Sequence, residues 1–257
     1  MSHAPAPSRG SASRTDASKP RSSWRPCSSS PESIRSRTER TSSSAFPSGS
    51  RAGSRSASAA SVARSVRERI DSGLDEQGRQ LERGLLASVR DALPREGAGA
   101  WDMTILAYWA GAHFPVLSPR RFLYPLGSGT LGYAWPAALG ATVALAAPTL
   151  AVVGDGGFLY GVQELATARQ YDLPTTLLLV DDGGYGILRE YQRDTYGETF
   201  AVDLEQPDFP ELARAFGIPV EPTTPDALAD ALRRGLETGG PAVVHLPAHL
   251  EMWTPTG

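Results

Sequence analysis

The sequence predicts an α/β protein: a doubly wound, mainly parallel sheet with helices on both faces, preceded by a disordered basic tail. Two observations carry the sheet. Short apolar runs alternate with helical patterns in the C-terminal half, as strands buried on both sides do, and each of the first two runs ends in a cluster of glycine and aspartate. Charge asymmetry carries the tail. Residues 1–65 hold 11 Lys+Arg against 3 Asp+Glu, a net +8, whereas the other 192 residues hold 14 against 25, a net −11.

The tail, residues 1–65, is about one-third serine with few aliphatic side chains, so it cannot bury enough surface to offset the entropy of ordering. Three readings of it stay open: a transit peptide, a nucleic-acid-binding arm, or a GC-rich coding region read out of frame, which is preferred. It lacks the apolar core of a secretory signal, and a cytoplasmic location is expected. Cys27 is the only cysteine, which excludes a disulfide framework and a cysteine-based zinc site. The acidic remainder has no basic stripe and predicts no nucleic-acid partner.

Residues 66–94 form a helical lead-in. Val66, Ile70, Leu74, Leu81, Leu85, Val89 and Leu93 recur at spacings of four or seven, one amphipathic stripe. Gly73, Gly78 and Gly84 weaken it, so two helices or a broken one should end before Pro94.

Residues 95–257 form the main domain. Phe122–Gly154 carries no charge and exceeds the roughly 20 residues that span a bilayer. Its Ala and Gly content, Pro136, Pro148 and the Gly127–Gly132 loop argue instead for a buried turn, helix and strand, and no membrane is expected. Thr149–Val153 reads as a strand, Tyr160–Tyr171 as a helix and Thr175–Val180 as a second buried strand. Asp208 with Pro210 opens a helix through Phe216, Thr224 with Pro225 opens another through Leu236, and Pro241–Leu246 is a last strand. Trp101, Trp109, Trp135 and Trp253 are assigned to core or interface, and His245 is a packed or edge histidine.

Three glycine loops carry the chemistry. Gly127-Ser128-Gly129-Thr130-Leu131-Gly132 satisfies the dinucleotide pattern G-x-G-x-x-G, so an NAD-dependent dehydrogenase, with Asp155 as its ribose-binding acid, is the alternative function. Pro125 just before the loop counts against it. Gly154-Asp155-Gly156-Gly157 follows the first buried strand, and Asp181-Asp182-Gly183-Gly184-Tyr185-Gly186 follows the second. A right-handed crossover brings the carboxyl ends of both strands to one edge, and neighbouring strands lie only about 4.8 Å apart. Asp155 and Asp182 therefore converge on one crevice and call for a hard cation, magnesium or calcium. Magnesium completes its shell with phosphate oxygens, and the glycines around Asp155 leave N–H groups open to phosphate; a diphosphate ligand follows. Taken singly, Gly-Asp-Gly is more often a turn than a metal site, and Asp181-Asp182-Gly183-Gly184 is equally an Asx-type turn.

The run from Gly154 to Gly186 resembles the thiamine diphosphate signature, which begins Gly-Asp-Gly and ends near a paired Asn/Asp. The chain from about Leu85 to Trp253 resembles the C-terminal domain of the acetolactate synthase and benzoylformate decarboxylase-like enzymes. The resemblance implies thiamine diphosphate and Mg2+ as cofactors, with the metal on Asp155, Asp182 and the carbonyl of Gly184. It implies diphosphate contacts at Gly156, Gly157 and Tyr185, with Thr104 a further candidate. It places Gly129, Thr130 and Leu131 against the thiamine, Leu131 as the wedge that bends the cofactor. Asp181 departs from the family's usual Asn and adds a charge at a neighbouring position. The implied function is the cofactor-binding domain of a 2-oxo acid decarboxylase or carboligase, a fragment or subunit. Nothing in residues 1–100 matches the family's pyrimidine-binding domain, so a homo-oligomer or a pairing with such a domain is expected. No catalytic residue is assigned.

Overall fold

A computed structural model describes residues 52–252. Backbone proximity divides the chain into Met1–Ser58 and Ala59–Gly257, and of the first unit only the opening residues of helix α1 (Ala52–Glu76) are described. Residues 52–65, assigned above to the tail on composition, are helical here. Alanine and arginine are strong helix formers, and composition sees the missing core without seeing local helical preference. The rest of the tail and Trp253 lie outside the described residues.

The amphipathic stripe breaks where expected. Helix α1 ends at Glu76, Gly78 takes a left-handed φ of 70°, and α2 (Gln80–Ala92) carries the stripe onward through buried Leu85 and Val89. Leu93, with extended backbone, precedes Pro94 and closes α2, as Pro requires of its predecessor.

The domain is built on β1 (Ala98–Trp101), β2 (Phe122–Leu123), β3 (Thr149–Gly154), β4 (Thr175–Asp181), β5 (Val220–Pro222) and β6 (Ala242–Pro247). They form one six-stranded sheet in the order β2-β1-β3-β4-β6-β5, and every pairing is parallel. Central β3 and β4 are buried along nearly their whole length, which is why they read as unbroken apolar runs.

Side chains alternate between two cores. One holds Trp101, Val152, Leu178 and Val244 with α2, α3 (Ile105–His113) and α9 (Leu228–Glu237). The other holds Ala151, Val153, Leu177 and Leu179 with α4 (Ala134–Leu145), α6 (Glu164–Gln170) and α8 (Phe209–Ala215). Helices thus cover both faces. Trp101, Trp109 and Trp135 are fully buried, and truncating any of them should cost about 3–5 kcal/mol.

Local chemistry sets several boundaries. Asp208 caps α8 by accepting from the Glu211 N–H at 2.8 Å. The helix expected from Tyr160 starts later, at Glu164, because residues 160–163 form turns. The uncharged Phe122–Gly154 stretch resolves into β2, a loop, α4 and β3. Among the described residues no helix is long and apolar enough to cross a membrane.

Candidate functional site

The strand order fixes where a ligand fits. From β1 the chain moves outward to β2, then returns to β3 on the other side of β1. Connections diverge at such a switch point and leave a crevice beyond the carboxyl ends of the strands. Segments leaving β1 (Met103, Thr104), β3 (Asp155–Gly157) and β4 (Asp182, Gly184–Leu188) line a cavity there of about 210 Å³, together with Gly129 and Leu131 of the first glycine loop. Asp155, Gly156, Gly157, Asp182, Gly184, Tyr185, Gly129 and Leu131, all expected at a site, share this wall; Thr130 is not part of it.

Asp155 begins α5 (Asp155–Phe158) and is fully buried. Its Oδ1 accepts from the N–H of Gly156 at 2.7 Å and its Oδ2 from the N–H of Gly184 at 2.7 Å. The Nε2 of Gln206 donates to the same Oδ2. Burial raises the Asp155 carboxyl above the usual range, and these bonds oppose the rise. Its Oδ1 is thus engaged by the adjacent Gly156 and its Oδ2 by the DDGG loop and Gln206.

Asp182 is less well served. Burial, and then the negative charge of Asp155, push it up to about 6, with Arg189 opposing. Its Oδ1 is buried without a hydrogen-bond partner. Its Oδ2 packs over Gly186, where a Cβ would fall 2.0 Å away. Two interacting carboxylates, one with an orphaned buried oxygen, are a chemistry that a divalent cation would relieve. Among the described residues no group of three or more His, Cys, Asp or Glu could hold a metal; Gly184, whose carbonyl the family resemblance implies as a ligand, lines the same cavity.

The DDGG loop is held from a segment that no sequence motif marks. Tyr185 N–H donates to the Val202 carbonyl at 2.8 Å, and Leu204 N–H to the Gly183 carbonyl at 3.2 Å, around an antiparallel bridge between Gly184 and Asp203. Gly184 sits at φ 154°, and a Cβ there would lie 2.3 Å from the Val202 carbonyl oxygen, so only glycine fits. Gln206 reaches Asp155 from this same segment. Asp181 has partners of its own, with its Oδ2 2.9 Å from the His245 Nε2 on β6 and its Oδ1 accepting from the Gly183 N–H at 3.4 Å, and its charge adds to the rise of Asp155.

Two helix starts complete the wall. α3 opens at Ile105 after Thr104, and α7 (Gly186–Tyr196) opens after Tyr185; neither has a side-chain cap. Uncapped N–H groups and the positive end of the helix dipole favour an anion. The cavity therefore joins an under-compensated carboxylate pair to two uncapped helix N-termini. Met103, Ile105, Tyr108, Ile187, Leu188 and Leu250 add an apolar lining that sequence reasoning did not find, because these residues share no motif.

The first glycine loop has its own anchor, also missed. Asp102, directly after β1 and 1% exposed, accepts from the N–H of Gly132 at 2.9 Å and of Tyr133 at 3.4 Å. Its only sequence signal is its place after a strand, and that strand, Ala-Gly-Ala-Trp, carries no β-branched residue.

Comparison with known proteins agrees with this geometry. The chain is 40% identical over 169 residues to a probable 2-ketoarginine decarboxylase of Pseudomonas aeruginosa, covering 65% of this chain and 30% of that protein. It is 35% identical over 168 residues to the acetolactate synthase isozyme 2 large subunit of Escherichia coli, covering 63% and 30%. A thiamine diphosphate-dependent 4-hydroxybenzoylformate decarboxylase of Rhodococcus jostii RHA1 superposes with a TM-score of 0.58 at 27% identity, covering 65% of this chain and 32% of that one. The chain thus spans about a third of the length of these relatives. Residues 102–246, more than half of the chain, match the thiamine pyrophosphate enzyme C-terminal TPP-binding domain, and the chain belongs to that family.

Proposed function

We propose that this chain binds thiamine diphosphate with Mg2+ and serves as the cofactor-binding domain of a 2-oxo acid decarboxylase or carboligase of the acetolactate synthase type. The observation that carries this reading is the carboxylate pair at the strand ends, buried Asp155 and half-buried Asp182, the second raised by the charge of the first and left with an unpartnered buried oxygen. Asp155, Asp182 and the Gly184 carbonyl would hold the metal. The backbone at Gly156, Gly157 and Tyr185 would hold the diphosphate, with α3 and α7 directing their positive ends toward it.

Gly129, Thr130 and Leu131 would meet the thiamine, Leu131 as an apolar wedge and the Gly129 carbonyl as an acceptor that orients the pyrimidine amine. Bound there, thiamine diphosphate supplies the electron sink that lets a 2-oxo acid lose carbon dioxide. Met103, Ile105, Ile187 and Leu250 keep water from the reacting end. The relatives named above differ in what they act on, so the substrate is proposed as a class, small 2-oxo acids.

A second polypeptide surface, a pyrimidine-binding domain or another copy, completes the reading. Leu126 in the first loop is 75% exposed, and Leu188 and Tyr191 on α7 are 45% and 52% exposed. Helix α7 has no fully buried residue; Ile187 packs on the core, while Leu188 and Tyr191 await a cover.

Isothermal titration of the full chain tests this. Thiamine diphosphate is expected to bind only with Mg2+, NAD is expected not to bind, and Asp155→Ala should abolish the response. Binding of NAD, or magnesium-independent binding of thiamine diphosphate, would overturn the assignment. Pyruvate turnover is expected only when a pyrimidine-binding domain is supplied, so robust turnover by the chain alone would overturn the need for a partner.

A further inference from the structure

We infer that Asp102 is a positioning residue that locks the thiamine-facing loop, Gly127–Gly132, against the diphosphate-facing turn, Gly156–Gly157, so that the two halves of one ligand are held at a fixed separation. The inference rests on the cofactor reading above for the ligand, and on geometry alone for the lock.

Three contacts converge on this carboxylate. Oδ2 accepts from the Gly132 N–H at 2.9 Å, Oδ1 accepts from the Tyr133 N–H at 3.4 Å, and Oδ1 also accepts from the N–H of Met103 at 3.1 Å. The loop is therefore tied to the end of β1, a strand paired on both sides, with β2 and β3. On its other side the carboxylate backs onto Gly157, where a Cβ would fall 2.6 Å from Oδ2. A side chain at 157 would push Asp102 off the loop.

The two loops also touch directly. Leu131 Cδ2 lies 3.7 Å from the Cβ position of Gly157, and a Cβ on Gly132 would meet the Tyr160 Cβ at 2.7 Å. Leu131 is held over the turn whose backbone is expected to grip phosphate. A buried carboxylate without a cation beside it is costly unless its oxygens are fully used. Here each oxygen is used on a backbone N–H, one from the last residue of the loop, Gly132, and one from Tyr133, which joins the loop to α4. An apolar residue at 102 would fill the space yet leave the Gly132 and Tyr133 N–H groups unpaired.

The test uses the full chain and two readouts. Amide hydrogen exchange without ligand is measured on the wild type, Asp102→Ala and Asp102→Asn. Exchange at Gly132 and Tyr133 should quicken roughly ten- to a hundredfold in Asp102→Ala, the loss expected for hydrogen bonds to a charged acceptor, while β3 and β4 amides stay protected. In Asp102→Asn one acceptor remains and the amide NH2 faces one donor, so exchange at one of the two positions should stay near wild type.

Titration then compares inorganic pyrophosphate with thiamine diphosphate, each with Mg2+. Pyrophosphate affinity should hold, and the preference for thiamine diphosphate over pyrophosphate should fall about tenfold or more. Unchanged exchange at Gly132 and Tyr133, or parallel loss of both ligands, overturns the inference. If Asp102→Ala does not fold, the same comparison is made with Asp102→Asn. A wild type that binds neither ligand refutes the cofactor reading, and the exchange data then decide the lock alone.

Discussion

The titration of Asp182 can be tested without any ligand, because the fold itself raises this carboxyl from 3.8 to about 6. A group raised on folding binds its proton more tightly in the folded state. Its contribution is fully present at acid pH, below the unfolded value near about 4, and is lost as pH climbs through the folded value. Between about pH 7.5 and about pH 5 the linkage recovers roughly 1.3 kcal/mol, reduced to about 1 kcal/mol because Asp182 is only half-buried and partly screened. For a domain of this size that corresponds to about 2–4 °C in Tm. Thermal unfolding in chelator is compared for the wild type and Asp182→Asn at both pH values. Burial also raises Asp102, which titrates alike in both proteins and cancels, as does any fixed cost of the amide, so the double difference reports Asp182 together with its coupling to Asp155. The wild type should gain relative to the variant on acidification. A difference that is flat with pH, or that favours the wild type at alkaline pH, refutes the electrostatic account of the pair.

Gly184→Ala should lower stability by about 2–4 kcal/mol in urea unfolding and abolish Mg2+ binding, because its Cβ would enter the Val202 carbonyl at a backbone angle few side chains adopt. Gln206→Ala removes a donor that favours ionised Asp155, so Mg2+ affinity by titration should fall, and should fall more at acid than at alkaline pH. Mg2+ with thiamine diphosphate at about a hundredfold over Kd should add about 2.7 kcal/mol of stability, or about 5–10 °C, and chelation should remove the gain.

The elements legible in the sequence were those whose burial is uniform or whose caps are strong. β3, β4 and β6 read as strands because they are buried on both faces and rich in Val, Leu and Thr, and α8 read as a helix because Asp208 caps it. β1 did not, since Ala98, Gly99 and Ala100 have no strand preference and take their conformation from pairing with β2 and β3. α3 is apolar around most of its surface and shows no period. α7 begins without a cap and buries no residue fully, so neither of its ends nor its face announces it.

The same division runs through the site. Glycine clusters were found because close approach demands them: Gly186 under Asp182, Gly157 against Asp102, Gly184 under Val202. These marks are local, carried by a residue type that few other requirements select. Asp102 and Gln206 are ordinary residues whose roles arise from distant pairing. Asp102 reaches the first loop and the Gly157 turn only because β1 lies beside β3, and Gln206 reaches Asp155 only because residues 202–204 bridge the DDGG loop. A glycine motif therefore identifies backbone that can meet a diphosphate, whereas the order of strands decides which side chains hold that backbone still. The affinity of the site should depend on the second group as much as on the first, since a loop free to move must lose that freedom again each time a ligand binds.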